Sequence, residues 1–304
     1  MTPANKFRRF LLSPYLLLLL PCLFWAGNAV IARASVGLVP PIGLAFWRWT
    51  LALILLLPFG LPRLWPKRHL IRRHFGVLAA LAATSVAAYN TLLYLALQTT
   101  TAINATLVAA ALPIVTIGLS WGLLGEGITR RQAVGVLVSL GGVLVVISQG
   151  QAAVLLGLEL RRGDLWVLLA TLIWAFYSVL LRRHPLPFDA IGLLTLLVAI
   201  GTAMILPFHL WELSTGADFA WNWETAAIVG YVGIFPSILA LYFWNQGVAA
   251  LGANVAGQYS NVVPVFTAVL ATLFLGESFR WYHTLGLVLI FAGIWLATRP
   301  TRRA

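Results

Sequence analysis

Charged residues are scarce in this chain of 304 residues. Asp, Glu, Lys and Arg together make up 9% of the sequence, whereas 61% of the residues are hydrophobic and the mean hydropathy is +0.93. So few charges cannot cover the surface of a water-soluble protein of this length. The apolar runs are long and uninterrupted rather than alternating, which predicts membrane-spanning helices and argues against a β-barrel.

Several kinds of functional group are also missing. A single cysteine, Cys22, rules out an intrachain disulfide. No P-loop is present, and none of the five histidines pairs with an acid at the spacing of metal ligands. The sequence therefore predicts a protein that is not an enzyme and that uses no cofactor or metal. It also lacks the charged rings or carbonyl filter typical of a channel.

The apolar runs predict ten spans. They cover residues 14–33, 41–59, 75–97, 102–124, 131–149, 164–182, 189–209, 224–246, 253–275 and 282–298. With the N-terminus inside, fifteen of the twenty Lys and Arg residues fall in cytoplasmic segments, as the positive-inside rule requires. Both termini are thus predicted to be cytoplasmic. The net charge of +12 follows from this topology and does not indicate a nucleic-acid partner.

One stretch of the sequence occurs twice. Pro113 to Glu126 and Pro264 to Glu277 share proline, threonine, leucine, glycine and glutamate at matching places, 151 residues apart. We interpret residues 1–150 and 164–304 as two five-helix repeats joined by a linker on the outer side, residues 151–163. Because five crossings are an odd number, the second repeat would be inverted, with Glu126 at the cytoplasm and Glu277 outside. Inverted repeats are typical of alternating access.

These features resemble the EamA-type drug/metabolite transporter superfamily. The resemblance rests on the ten spans, the two halves, the proline followed by Gly-Glu, and the glycines of the next helices, Gly135, Gly141, Gly142, Gly286 and Gly293. It implies an all-α fold and a transport function in the bacterial inner membrane, with the lipid bilayer and a small-molecule substrate as partners. Length and aromatic content are most similar to bacterial exporters of aromatic amino acids. Oligomeric state stays open, a monomer being compatible.

Polar and aromatic side chains within spans are candidates for a substrate site, because such groups need a partner or a cavity in lipid. Many are three or four residues apart and share a helical face. The candidates are Trp25, Asn28, Tyr89, Asn90, Tyr94, Trp174, Tyr177, Tyr242, Asn245, Gln258, Tyr259 and Asn261. Two alternatives remain open: the aromatic residues belong to interfacial belts, or the polar groups only join helices. Pro113 and Pro264 are predicted to kink their helices and to act in gating.

Charges inside the spans bear on coupling. All eight acidic residues lie at or outside predicted span ends, so a buried acid for proton exchange is not expected. Arg48 is the one charge within a span and either binds a substrate carboxylate or has a structural role. We expect export of aromatic or large neutral amino acids, or similar amphipathic metabolites, by downhill uniport. The alternatives are a proton-coupled carrier of a nucleobase, vitamin or drug, and a non-transporting membrane scaffold.

Overall fold

The computed structural model describes residues 13–35, 37–100, 105, 108–157, 162–275 and 280–298, and every regular element in those ranges is helical. Glu277 and the basic residues at both termini lie outside the described residues. The helices of the first half are α1 (Pro14–Leu17), α2 (Leu19–Ala34), α3 (Pro41–Leu64), α4 (Arg68–Arg73), α5 (Phe75–Ala82), α6 (Tyr89–Leu97), α7 (Leu112–Leu124) and α8 (Arg130–Ile147). A π-helical segment, Ala83–Ala88, joins α5 to α6.

A short helix, α9 (Ala152–Leu156), lies in the linker. The helices of the second half are α10 (Arg162–Arg183), α11 (Ala190–Ser214), α12 (Trp223–Gly233), α13 (Ala240–Leu251), α14 (Ala253–Tyr259), α15 (Val263–Leu275) and α16 (Trp281–Thr298). A second π-helical segment, Ile234–Leu239, joins α12 to α13, and a 3₁₀ turn, Ser260–Val262, joins α14 to α15.

Seven helices in the described part of the chain are long and apolar enough to cross a membrane. They are Pro14–Ala32, Pro41–Arg73, Phe75–Leu97, Arg130–Ile147, Arg162–Arg183, Ala190–Ser214 and Trp223–Leu251. Each overlaps one of the predicted spans. Leu112–Leu124 and Trp281–Ala297 are apolar but shorter. The all-helical membrane architecture is therefore confirmed, while the count of ten crossings stays a prediction.

Elements of the two halves recur at a constant separation. The bounds of α7 and α15, of α8 and α16, and of the two π-helical segments all differ by 151 residues. The π segments are informative because the sequence did not predict them, and π-helical turns are rare. The repeat found in the sequence is thus accompanied by a repeat in helix bounds and in one unusual backbone feature.

Glycines permit close backbone contact between α8 of the first half and α16 of the second. A Cβ built on Gly135 would lie 2.6 Å from the Gly293 carbonyl oxygen, and one on Gly142 would lie 2.7 Å from the Gly286 oxygen. Helices in lipid gain no hydrophobic drive toward one another, so small residues permit this backbone approach between α8 and α16. In α8, Thr129 and Gln132 form a capping box that satisfies the first turn.

Glu212 corrects one boundary of the prediction. The span was expected to end at residue 209, but α11 continues to Ser214, so Glu212 lies within the helix and is buried. Its carboxylate accepts hydrogen bonds from the backbone N–H groups of Ile42 at 3.0 Å and Gly43 at 2.6 Å. Both are orphan donors in the first turn of α3, where the helix dipole favours an anion. The acid therefore caps a neighbouring helix.

Candidate functional site

A cavity of about 130 Å³ lies between the two halves. Its walls come from α2, α6 and the residues that lead into α7 in the first half, and from α10, the 3₁₀ turn and the first residues of α15 in the second. Most of the lining is apolar, with small side chains such as Ala29, Ala32 and Ala109 leaving the space open. A mainly apolar cavity with a few placed polar groups is the usual form of a small-molecule site.

Aromatic rings form one wall of this cavity. Trp174 packs edge-on against Trp25 with ring centroids 5.4 Å apart, and its ring is tilted against that of Tyr89 at 4.7 Å. Behind them, Trp244 contacts both tryptophans and donates from Nε1 to Ser178 Oγ at 3.2 Å. Because this support holds Trp174 in place, the wall presents preformed aromatic surface to a bound molecule.

Three asparagines supply the amide groups of the polar lining. Asn28, Asn90 and Asn261 all line the cavity and are buried. Tyr94 donates to Asn28 Oδ1 at 3.1 Å, and Asn261 Nδ2 donates to Ser139 Oγ at 2.9 Å. Asn261 Oδ1 is buried without a hydrogen-bond partner among the described residues.

Arg48 lies behind this lining and not within it. Its side chain is 1% exposed, and Nε donates to Ser237 Oγ at 2.8 Å. Nη1 donates to Asn90 Oδ1 at 3.0 Å and to the Tyr94 hydroxyl. The guanidinium also lies 5.0 Å from the Trp49 ring centre and 5.7 Å from that of Tyr94. Arg48 therefore does not line the cavity, but its hydrogen-bond partner Asn90 does.

Half of the twelve predicted site residues line the cavity. These are Trp25, Asn28, Tyr89, Asn90, Trp174 and Asn261. The other six do not: Tyr94, Tyr177, Tyr242, Asn245, Gln258 and Tyr259. Tyr94 touches the lining through Asn28. Tyr177 donates to Asn245 Oδ1, which joins α10 to α13, so for this pair the helix-joining alternative describes the contact.

Residues missed in the sequence complete the lining. Thr171 and Ser260 are its hydroxyl groups, but each bonds to its own helix, Thr171 to the Val167 carbonyl at 2.8 Å and Ser260 to the Gly257 carbonyl at 2.6 Å. Thr171 precedes Trp174 by three residues and shares its helical face, which could have identified it. No spacing relative to a predicted site residue identified Ser237, the partner of Arg48, in the sequence.

The two prolines occupy helix starts and not helix interiors. Pro113 lies in the first turn of α7, after a turn at Ala110 and Ala111. Pro264 is the second residue of α15, directly after the 3₁₀ turn, and it lines the cavity. The expected kinks are thus interruptions between helical segments, since proline is tolerated in a first turn. A role in gating stays a prediction.

Comparison with known proteins gives a family for the whole chain. The model of the EamA-like transporter family matches twice, over residues 12–148 and 161–299. The two matches coincide with the two halves that carry repeated helix bounds. Together they cover far more than half of the sequence.

Individual relatives agree with the family match. An uncharacterized transporter of Archaeoglobus fulgidus is 30% identical over 290 residues, which cover 93% of this chain and 96% of the relative. A probable terminal-alkyne amino-acid exporter of Streptantibioticus cattleyicolor is 27% identical, with 93% of each chain covered. A solved crystal structure is similar in fold, with a TM-score of 0.73, 24% identity and coverage of 96% of this chain and 99% of that one. The chain belongs to the EamA-like transporter family, and it is a multi-pass membrane transporter.

Proposed function

We propose that this transporter exports amino acids with aromatic or large neutral side chains across the bacterial inner membrane. The observation that carries the proposal is the cavity between the halves, in which Trp25, Tyr89 and Trp174 offer aromatic surface beside three asparagine amides. Rings cover the apolar body of an amphipathic solute while amides hold its polar end. The relative named as an amino-acid exporter supports the same substrate class.

Alternating access between two inverted five-helix repeats is the mechanism we propose. The equal separation of α7 from α15, of α8 from α16 and of the π segments supports the repeat. Five crossings in each half would give ten spans, both termini in the cytoplasm and the second half inverted. Two halves of one fold could then exchange conformations and open the cavity to either side in turn.

Downhill uniport is the coupling that this lining favours. Within the described part of the chain, no Asp, Glu or His lines the cavity. Glu212, the buried acid of α11, is engaged with two backbone donors of α3. An exchanger of protons for substrate needs an ionisable group that both ligands contact, so flux should follow the substrate gradient alone.

Efflux from proteoliposomes tests the proposal. Vesicles containing purified protein would be loaded with radiolabelled phenylalanine, threonine or a nucleobase, with and without an imposed proton gradient. We expect phenylalanine to leave fastest, at a rate independent of the proton gradient. Faster flux of the nucleobase would contradict the substrate, strict dependence on the gradient would contradict uniport, and flux of none would indicate a scaffold.

A further inference from the structure

We propose that Arg48 orients Asn28 and Asn90 so that their side-chain N–H groups face the cavity. The carboxylate of the solute then binds at this first-half wall. The proposal rests on the function above and specifies how that site recognises its substrate. Arg48 has the role of a positioning residue, because it acts through Asn90 and Tyr94 and does not itself line the cavity.

Arg48 is a buried cation, and none of the acidic side chains in the described part of the chain pairs with it. In the described ranges Arg63 pairs with Asp189, and His209 lies 3.9 Å from the Glu212 carboxylate, and neither pair includes Arg48. Its recorded partners, Ser237, Asn90 and Tyr94, are all neutral. A guanidinium keeps its charge in proteins, so its positive potential acts on the adjacent cavity in a medium of low dielectric constant.

Hydrogen-bond chemistry fixes the asparagine orientations. Arginine has donors only, so the Asn90 atom that faces it must be Oδ1, and Nδ2 is turned away. The Tyr94 hydroxyl accepts from Arg48 and gives its single hydrogen to Asn28 Oδ1. In both asparagines the side-chain oxygen therefore already accepts a hydrogen bond from the protein.

The two amide nitrogens are left for a ligand. Neither Asn28 Nδ2 nor Asn90 Nδ2 has a hydrogen-bond partner among the described residues. Neither nitrogen is among the fully buried polar atoms that lack a partner. Since both side chains line the cavity, these N–H groups are available to it. Two donors beside an uncompensated positive charge suit a carboxylate, the strongest common acceptor among small metabolites.

Asn261 differs from the first pair. Its Nδ2 donates to Ser139, which leaves Oδ1 as a buried acceptor without a partner in the described chain. That oxygen is closed to water, so it does not open onto the cavity in this conformation. The amide donors that are open to the cavity therefore lie on its first-half wall.

Calorimetric titration of the purified protein with two matched ligand pairs tests this inference. Phenethylamine is phenylalanine without its carboxylate, and 1-aminopropan-2-ol is threonine without its carboxylate. For the wild type we expect each acid-bearing member to bind roughly tenfold or more tightly than its amine, the usual effect of a charge-assisted contact.

Asn90→Asp is the decisive variant. The new carboxylate would pair with Arg48, supply a counter-charge and replace a donor with acceptors, so folding should be retained. The preference for phenylalanine over phenethylamine should fall roughly tenfold or more and can invert. Gln132→Glu, an equivalent change at the cap of α8 outside the cavity, should leave the preference unchanged.

Arg48→Met and Arg48→Lys test the positioning role. In Arg48→Met most of the preference for phenylalanine over phenethylamine should be lost while phenethylamine still binds. In Arg48→Lys part of that preference should return. A purely structural role of Arg48 would not produce this pattern. An unchanged preference in Asn90→Asp, or equal binding of acid and amine by the wild type, overturns the inference. If only threonine binds more tightly than its amine, the carboxylate site is upheld but the aromatic substrate is contradicted. If none of the four ligands binds, both the carboxylate site and the proposed substrate class are overturned.

Discussion

Trp174 lies at the centre of the aromatic wall, in contact with Trp25, Tyr89, Tyr177 and Trp244. Trp174→Ala should lower phenylalanine flux roughly tenfold or more, because truncating a buried aromatic anchor removes a large share of binding energy. The measurement is initial efflux from proteoliposomes. Trp166→Ala on the same helix is the matched control, since Trp166 is 45% exposed. Equal losses in both variants would contradict a substrate role for Trp174.

At the residue scale, helical spacing identified some of the site and not the rest. Trp25 and Asn28 were placed on one face, and the structure brings both to the cavity. Spacing alone cannot say which neighbour a face meets, so Tyr177, three residues after Trp174, bonds to Asn245 instead. The role of Arg48 could not be chosen from sequence because its partner Ser237 lies 189 residues away.

Among the elements, α8 and α16 offer a matched test of packing. Gly142→Ala should destabilise the protein by about 1–3 kcal/mol, since the added methyl group would meet the Gly286 backbone and Ile290. Gly141→Ala, one residue earlier, meets nothing within 4 Å and should be neutral or slightly stabilising in a helix. Thermal unfolding in detergent compares the two variants. A larger loss in Gly141→Ala would contradict this contact.

The helix interruption at Pro264 gives a kinetic prediction. Pro264→Ala restores a backbone donor and lets α14 and α15 join into one helix, so the rate of phenylalanine flux should change several-fold with little change in stability. Pro113→Ala should have a smaller effect, because Pro113 follows a turn at Ala110 and Ala111, whereas Pro264 follows a 3₁₀ turn that α15 could extend into a helix. Flux and thermal unfolding are measured for both variants, to separate an effect on the transport rate from an effect on stability. An unchanged rate in Pro264→Ala would remove the gating role.

Helix positions were readable from sequence, but helix irregularities were not. Long apolar runs predicted the positions of the seven long helices because spanning a bilayer requires such runs. The π segments at Ala83–Ala88 and Ile234–Leu239 interrupt the regular period of 3.6 residues without Gly-rich signals. They directly precede Tyr89 in one half and hold Ser237 in the other, so they affect where these side chains point.

For the whole molecule, loop accessibility tests the proposed topology. Ile128 and Asp218 are exposed in the connections after α7 and after α11. In intact cells an impermeant thiol reagent should label Asp218→Cys and leave Ile128→Cys unlabelled until the membrane is opened. The native Cys22 is buried and will not contribute to the signal. Labelling of Ile128→Cys from outside would reverse the predicted orientation.

The apolar runs predicted the all-helical membrane architecture, because crossing a bilayer requires such runs. The orientation drawn from charge placement and the inversion of the second repeat stay predictions. The cavity was not predictable in the same way, since it depends on how α2, α6, α10 and α15 meet in space. Alanines at 29, 32 and 109 carry no functional signal in the sequence, yet their small size opens the space that a substrate would fill.

Counterflow measures the central claim most directly. Proteoliposomes preloaded with excess unlabelled phenylalanine are diluted into a trace of labelled phenylalanine, and the label inside is followed over time. A carrier that exposes one cavity to each side in turn should accumulate label transiently above the outside concentration and then release it, and Trp174→Ala should abolish that rise. Label that only approaches the outside concentration, without an overshoot, would contradict a carrier and with it the proposed function.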